Sequence, residues 1–430
     1  MKKLVVSLAA VLAIAVGTWL SVVLWQTYRP TDRSADIVSA GAELADRGAA
    51  SSLATQSAKP EPRPAPKPAL RPAPVFPDEL VVLGELLVAD PPEGFARGAR
   101  QLGFEVIEVV ELRQLEMAVY RVATPPGMEV SEARKKLAAR FPGIAIDSHR
   151  AFETQGVKEY GKQTARPMAG WPQATATCGA GMRIGQIDSP VDTSHPALKG
   201  QRVEFKSFHK ESRKPGPADH GTAVAAMLVG KPNWGGLLPG AELFAANMFE
   251  VNETGKVIGS GMGLLRAIDW MAQKKIQVVN MSVAGGDNKV VRKAFKLARK
   301  KGLVLVAAAG NWGSAKRPAY PAAYGDVIAV TALDKKRKIY KKANSGAYID
   351  FAAPGVKIYA AVPRGGRVMS GTSFATPYIT VLLAMSIEAG APTSPTALRE
   401  MLSGRVLDLG NPGRDDVFGH GVVKLRPKCQ

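Results

Sequence analysis

From residue 181 onward, short uninterrupted apolar runs alternate with amphipathic stretches, and this alternation constrains the fold more than any other feature of the chain. The runs are Met182–Ile187, Glu242–Ala246, Ile276–Met281, Leu303–Ala308 and Val327–Thr331. Apolar residues at helical spacing fill Gly221–Val229, Gly261–Gln273 and Val290–Lys301. A strand that is apolar on both faces needs cover on both faces. The pattern therefore predicts an α/β domain over residues 181–430, three layers deep, with helices on either side of a mostly parallel sheet. Reactive groups in such sheets gather at the carboxyl ends of strands, so the strand-to-helix junctions carry the functional information.

Four junctions stand out. The run Met182–Ile187 ends on Asp188, an acid directly after a buried strand. His220-Gly221-Thr222 opens an apolar helix, and Gly371-Thr372-Ser373 puts a serine where a long apolar helix begins, with Pro377 expected in its first turn. A serine is nucleophilic only if a base takes its proton; histidine titrates near neutrality, and an acid on its other ring nitrogen fixes the tautomer. Small residues at Val306–Ala309 lead to Gly310 and Asn311, whose amide can donate to a developing oxyanion. The backbone N–H of Ser373 supplies a second donor. Singly, these residues have ordinary structural roles: Asp188 and Ser373 as caps, His220 in a core, Asn311 in a turn.

Together, and in the order Asp, His, Asn, Ser, they resemble the subtilisin-like (subtilase) family of serine endopeptidases over residues 181 to 424. Gln186–Asp192 resembles the family's aspartate motif, His220-Gly221-Thr222 its histidine motif and Gly371-Thr372-Ser373 with Pro377 its serine motif. Tyr320-Pro321-Ala322, Ala353-Pro354-Gly355 and Phe418–Gly421 match further landmarks. The resemblance implies a subtilisin-like fold, catalysis by Asp188, His220 and Ser373 through an acyl-enzyme, and Asn311 in the oxyanion hole. It also implies a cleft for polypeptide substrates lined by Gly259, Ser260, Gly261, Ser282, Val283, Ala284, Ala309 and Gly310. Catalysis would need no cofactor; structural calcium is common in the family, but no ligands for it can be assigned in this chain. Three departures are visible: Pro190 and Ala284 where glycine is usual, and Ala223 where a second histidine is frequent. Pro190 is expected to alter the turn after Asp188. It is the one feature that favours an alternative, a catalytically silent binding protein held shut by its own prodomain.

Residues 79–150 read as β-α-β-β-α-β, a small α+β ferredoxin-like domain whose last strand is expected at Ile144–Ile146. In the light of the resemblance this domain is propeptide-like, an intramolecular inhibitor and folding aid. Residues 151–180 form the processing region and lead-in, with self-cleavage expected between about Ala151 and Lys162. Upstream, 29–78 is a Pro/Ala-rich linker, and 1–28 holds an uncharged run, Leu4–Trp25, that spans about 33 Å as a helix. That length predicts a membrane anchor with the catalytic domain outside the cytoplasm, periplasmic or extracellular, and released if processing severs the chain. The net charge of +20 is scattered and lacks any nucleic-acid-binding motif, so no nucleic-acid partner is expected. Cys178 and Cys429 can pair across about 250 residues in an oxidising compartment or remain two thiols; their spacing matches no metal site.

Overall fold

The computed structural model describes residues 81–154, 157–159 and 174–424, all within one compact unit, 74–430. The expected anchor, the linker and Cys429 lie outside the described residues. Among the described residues no helix is long and apolar enough to cross a membrane.

The N-terminal part runs β1 (Val81–Ala89), α1 (Phe95–Gln101), β2 (Glu105–Leu112), β3 (Met117–Ala123), α2 (Val130–Arg140) and β4 (Ala145–Thr154). This is the expected order. Its small core lies between sheet and helices and includes Leu86, Val88, Phe95, Phe104 and Leu137. The last strand does not stop at Ile146 but continues eight residues further. The polar run Asp147-Ser148-His149-Arg150 conceals this from a period-2 reading, because three of its side chains are buried by groups from distant segments.

After β5 (Val157–Glu159), the larger part runs β6 (Arg183–Asp188), β7 (Val203–Ser207), α3 (Asp219–Val229), β8 (Glu242–Asn247), β9 (Phe249–Val251), β10 (Val257–Ser260) and α4 (Gly261–Gln273). It continues with β11 (Val278–Met281), β12 (Val283–Gly285), α5 (Lys289–Lys300), β13 (Val304–Ala308), β14 (Val327–Leu333), β15 (Phe351–Pro354), β16 (Ile358–Val362) and β17 (Gly365–Ser370). It ends with α6 (Thr372–Glu388), α7 (Pro395–Ser403), β18 (Val406–Leu407) and β19 (Val422–Val423). The central sheet has the order β18-β19-β15-β14-β13-β11-β6-β8-β7, and only its β18–β19 pair is antiparallel. One face packs on α3, α6 and α7, the other on α4 and α5, which gives the three layers.

The two parts share a core. Leu87, Leu112 and Met117 of the small sheet, with Leu115 of the turn between β2 and β3, join the apolar faces of α4 and α5. Polar side chains of α4 and of the start of α5 supply the rest of this contact. Asp269 of α4 accepts the backbone N–H groups of Gln114 (2.8 Å) and Leu115 (3.0 Å). Asn288 caps α5 through Val290 N and Val291 N, a type of contact worth about 1 kcal/mol, and its Nδ2 donates to Ser148 O at 2.7 Å. Asp147 Oδ2 accepts Lys289 N at 3.0 Å, an anion at the positive end of the helix dipole.

Candidate active site

Asp188 ends β6 with no exposed surface, and His220 is the second residue of α3. His220 Nδ1 lies 2.7 Å from Asp188 Oδ1, which also accepts the Ser189 N–H at 2.6 Å. An anionic acceptor here leaves the ring proton on Nδ1 and the lone pair on Nε2. His220 Nε2 is buried and has no hydrogen-bond partner. Pro190 does not disturb this pair. The turn is held instead by Ser189 Oγ, which accepts Gly221 N at 2.9 Å, and by Thr222 Oγ1, which accepts Asp192 N at 2.9 Å. Gly221 is required by close approach, since a Cβ there would run into the Ser189 and Pro190 carbonyls.

Ser373 is the second residue of α6, fully buried, with Gly371 as N-cap. Its Oγ donates to Ser282 O at 3.2 Å and is not hydrogen-bonded to His220. Pro377 is the sixth residue of α6 and not in its first turn. It therefore removes the N–H that would have served the Ser373 carbonyl. Ser282 Oγ takes that place, donating to Ser373 O at 3.1 Å, and is itself held by Asn280 Nδ2 at 3.0 Å.

Asn311 follows Gly310, whose φ of 99° favours glycine and which has no room for a Cβ beside Ala319. Asn311 Oδ1 accepts Thr372 N (3.1 Å) and Thr372 Oγ1 (3.0 Å), so its carbonyl end is fixed on the start of α6 and its amide end is turned away from that bond pair. Ala309 commits both backbone groups to the framework, its N–H to Val330 O and its carbonyl to Tyr348 Oη.

The cleft strands expected from sequence come together, and the chain itself occupies them. β4 runs on between β10 and β12, so the small sheet and the cleft form one seven-stranded sheet, β2-β3-β1-β4-β10-β9 with β12 on β4. Gly259 pairs with Phe152 and Ser260 with Ala151; on the other side Val283 pairs with Thr154, Ala284 with Glu153 and Gly285 with Phe152, all antiparallel. Gly261, the first residue of α4, lies against the Arg150 carbonyl. The Phe152 side chain is 1% exposed, and its fit depends on glycine: a Cβ at Gly285 would sit 2.6 Å from the Phe152 ring and one at Gly259 3.1 Å from Phe152 Cβ. Beyond residues 155 and 156 the pairing resumes on another edge, with Ser370 opposite Val157, Met369 opposite Lys158 and Val368 opposite Glu159.

Upstream, β4 is anchored by His149, 5% exposed, whose Nδ1 meets Glu85 Oε2 at 2.8 Å and whose Nε2 accepts Met262 N at 3.3 Å. Burial alone would raise the Glu85 carboxyl; the His149 and Arg121 contacts outweigh it and hold the pKa at about 2. Arg121 bridges Glu85 and Glu108, and Glu108 reaches across to Arg266 of α4.

Sequence reasoning missed the pairing of Phe152 to Thr154 with β10 and β12 and the part that Gly285 plays in it; the apolar pair Ala151-Phe152 was the available signal. Cys178 is buried and not a free thiol. Among the described residues there is no cluster of three or more metal-ligating side chains.

The profile of the subtilase family matches residues 179–421, more than half of the chain. The minor extracellular protease Epr of Bacillus subtilis is 32% identical over 58% of this chain, though the match spans only 39% of Epr. Subtilisin DY of Bacillus licheniformis is 31% identical over 60% of this chain and 94% of its own length. The crystal structure of fervidolysin from Fervidobacterium pennivorans, a keratinolytic enzyme related to subtilisin, superposes with a TM-score of 0.65 at 23% identity. That superposition covers 80% of this chain and 60% of fervidolysin, and it agrees with the fold described above.

Proposed function

Because the chain belongs to the subtilase family, we propose that it is a serine endopeptidase made as a precursor whose own residues 152–154 and 157–159 pair with strands of its active site. The observation that carries this reading is the pair of strand contacts that flank positions 155 and 156 in the sequence. Residues 152–154 add to β10 and β12, residues 157–159 add to β17, and the two residues between them, Gln155 and Gly156, are the scissile pair. Pairing on both sides of the reacting bond is what an endopeptidase needs, because it holds the carbonyl at a fixed distance from the nucleophile.

The groups fit the chemistry. Ser373 Oγ leaves Ser282 O, hydrogen-bonds to His220 Nε2 and attacks the Gln155 carbonyl carbon while His220 takes its proton. Asp188 holds the imidazolium, and Asn311 Nδ2 with the Ser373 N–H stabilises the oxyanion. His220 returns the proton to the Gly156 nitrogen as the C–N bond breaks. Water, deprotonated by the same histidine, then hydrolyses the ester and restores Ser373. No cofactor takes part. The domain of residues 81–154 acts as the intramolecular inhibitor, with Phe152 as its anchor in the cleft. The apolar Leu4–Trp25 run, and the name of Epr as an extracellular protease, support a site of action outside the cytoplasm, tethered until cleavage releases the catalytic part.

The reading is tested by expressing the full chain with and without Ser373→Ala. The unchanged chain should give a mature protein beginning at Gly156 and react with a fluorophosphonate probe at Ser373; the variant should remain full-length and unlabelled. Normal trimming of the Ser373→Ala chain, or an inert Ser373 in the mature protein, would overturn it.

A further inference from the structure

Resting on that reading, we propose that Trp312 and Arg317 form a subsite for an acidic side chain on the third residue before the scissile bond. In the strand that fills the cleft, Glu153 occupies this position, opposite Ala284. Strand alternation sends its side chain the opposite way from Phe152, and accordingly Phe152 is buried and Glu153 is exposed. The exposed carboxylate does not hang in solvent alone. Trp312 Nε1 donates to Glu153 Oε2 at 3.2 Å, across 159 positions of sequence. Behind the indole, the Arg317 guanidinium lies over the Trp312 ring with its Cζ 3.8 Å from the centroid, a cation–π stack.

The two side chains are held by a framework of their own. Asn344, 1% exposed, accepts Trp312 N (2.9 Å) and Ser314 N (3.3 Å) with its Oδ1 and donates from Nδ2 to Arg317 O (3.0 Å). Its own N–H donates to Gly310 O at 3.0 Å, and Lys342 O accepts Gly313 N at 2.8 Å. One buried side chain thus fixes the backbone at both ends of the loop that begins at Asn311. The site presents an N–H donor and, behind it, a cation. Burial depresses the Arg317 guanidinium from its ordinary value and the nearby Glu153 charge works against that, so Arg317 responds to a carboxylate in this position.

A carboxylate satisfies both elements, glutamine satisfies only the N–H, and lysine sets two cations together. For a solvent-exposed pair the differences are modest: about threefold between Glu and Gln, and about tenfold between Glu and Lys at low salt.

The test has two arms. In the first, the mature protein cleaves peptides of the form Phe-Xaa-Thr-Gln-Gly-Val-Lys-Glu with Xaa as Glu, Gln or Lys. The expected order of kcat/KM is Glu, Gln, Lys; Arg317→Gln flattens it and Arg317→Glu reverses it. In the second, which needs no turnover, hydrogen exchange is followed at residues 151–154 in the full-length Ser373→Ala chain. Glu153→Lys and Arg317→Glu should each speed exchange there severalfold, and the double charge swap should restore protection. A flat peptide series, or a double swap no better protected than the singles, would overturn the subsite. Absence of cleavage of every peptide with the swap rescue intact would instead count against the peptidase reading and leave the subsite standing.

Discussion

Ser282 Oγ donates to the carbonyl oxygen of Ser373 at 3.1 Å, filling the place left by Pro377, which has no N–H to give. The same Ser282 accepts the Ser373 hydroxyl on its backbone carbonyl, so the junction of β11 and β12 and the start of α6 are tied in both directions. Thr380 and Asn280 extend the tie into the core. Ser282→Ala leaves a buried carbonyl and the Asn280 amide short of partners, at a cost of about 1–3 kcal/mol. Urea denaturation should register that loss. Pro377→Ala restores a main-chain donor, so the double variant should lose less than the two single effects predict; strict additivity would mean that Ser282 does not substitute for the missing N–H.

Asn311 can act only through its amide end, because its oxygen is engaged twice by Thr372. Asn311→Ala should lower kcat on a peptide substrate by about 100- to 1,000-fold with KM little changed, the mark of a donor used in the transition state. A rise in KM at constant kcat would place Asn311 in substrate binding instead.

What could be read from the sequence, and what could not, divides along a physical line. β6, β8, β11, β13 and β14 announce themselves because both faces of each are buried in helices, and continuous apolar composition follows. β7 does not: three of its five residues are exposed, and only its pairing with β8 makes it a strand. β10 and β12 hold only four and three residues, and their pairing is with segments distant or short enough to leave no period in the sequence: β12 with β4, β10 with β4 and β9. The extension of β4 past Ile146 was hidden for the same reason, since Asp147, Ser148 and His149 are paired by Lys289, Asn288, Glu85 and Met262. The expected site residues were legible from their junctions: Asp188 ends an apolar strand, His220 and Ser373 open apolar helices next to Gly221 and Gly371, and Asn311 follows Gly310. Their environment was not: that Pro190 leaves the Asp188–His220 contact intact, and that Pro377 lies beyond the first turn, depends on Ser189 and Ser282 meeting residues far away in sequence.

Phe152 is the apolar anchor of the cleft occupant. Phe152→Ala removes a side chain that is 1% exposed and packed between Gly259 and Gly285, a change of the kind that costs about 3–5 kcal/mol in a core. The precursor should persist longer in a time course of self-cleavage, and residues 151–154 of the Ser373→Ala chain should exchange amide hydrogens faster. Gly285→Val, which fills the same space from the other side, should have the same effect; processing at the original rate in both variants would remove Phe152 from the docking argument.

Glu85 makes the contact between the small sheet and the cleft sensitive to acid. Its carboxyl has a pKa of about 2 in the folded chain against an ordinary 4.5, burial being outweighed by His149 and Arg121. Between those values the unfolded chain binds a proton that the folded chain does not, so stability falls as the pH falls. The contribution is complete above pH 4.5, declines by at most about 1.4 kcal/mol per pH unit below it, and is gone near pH 2. Glu85→Gln has no such proton to take up. In the Ser373→Ala background, which keeps the chain whole, the protein that retains Glu85 should lose midpoint temperature more steeply than the Glu85→Gln variant as the pH falls from 4.5 towards 2, while above pH 4.5 the difference between the two should stay constant. Parallel curves throughout would mean that Glu85 titrates at its ordinary value and that the His149 and Arg121 contacts do not hold it ionised.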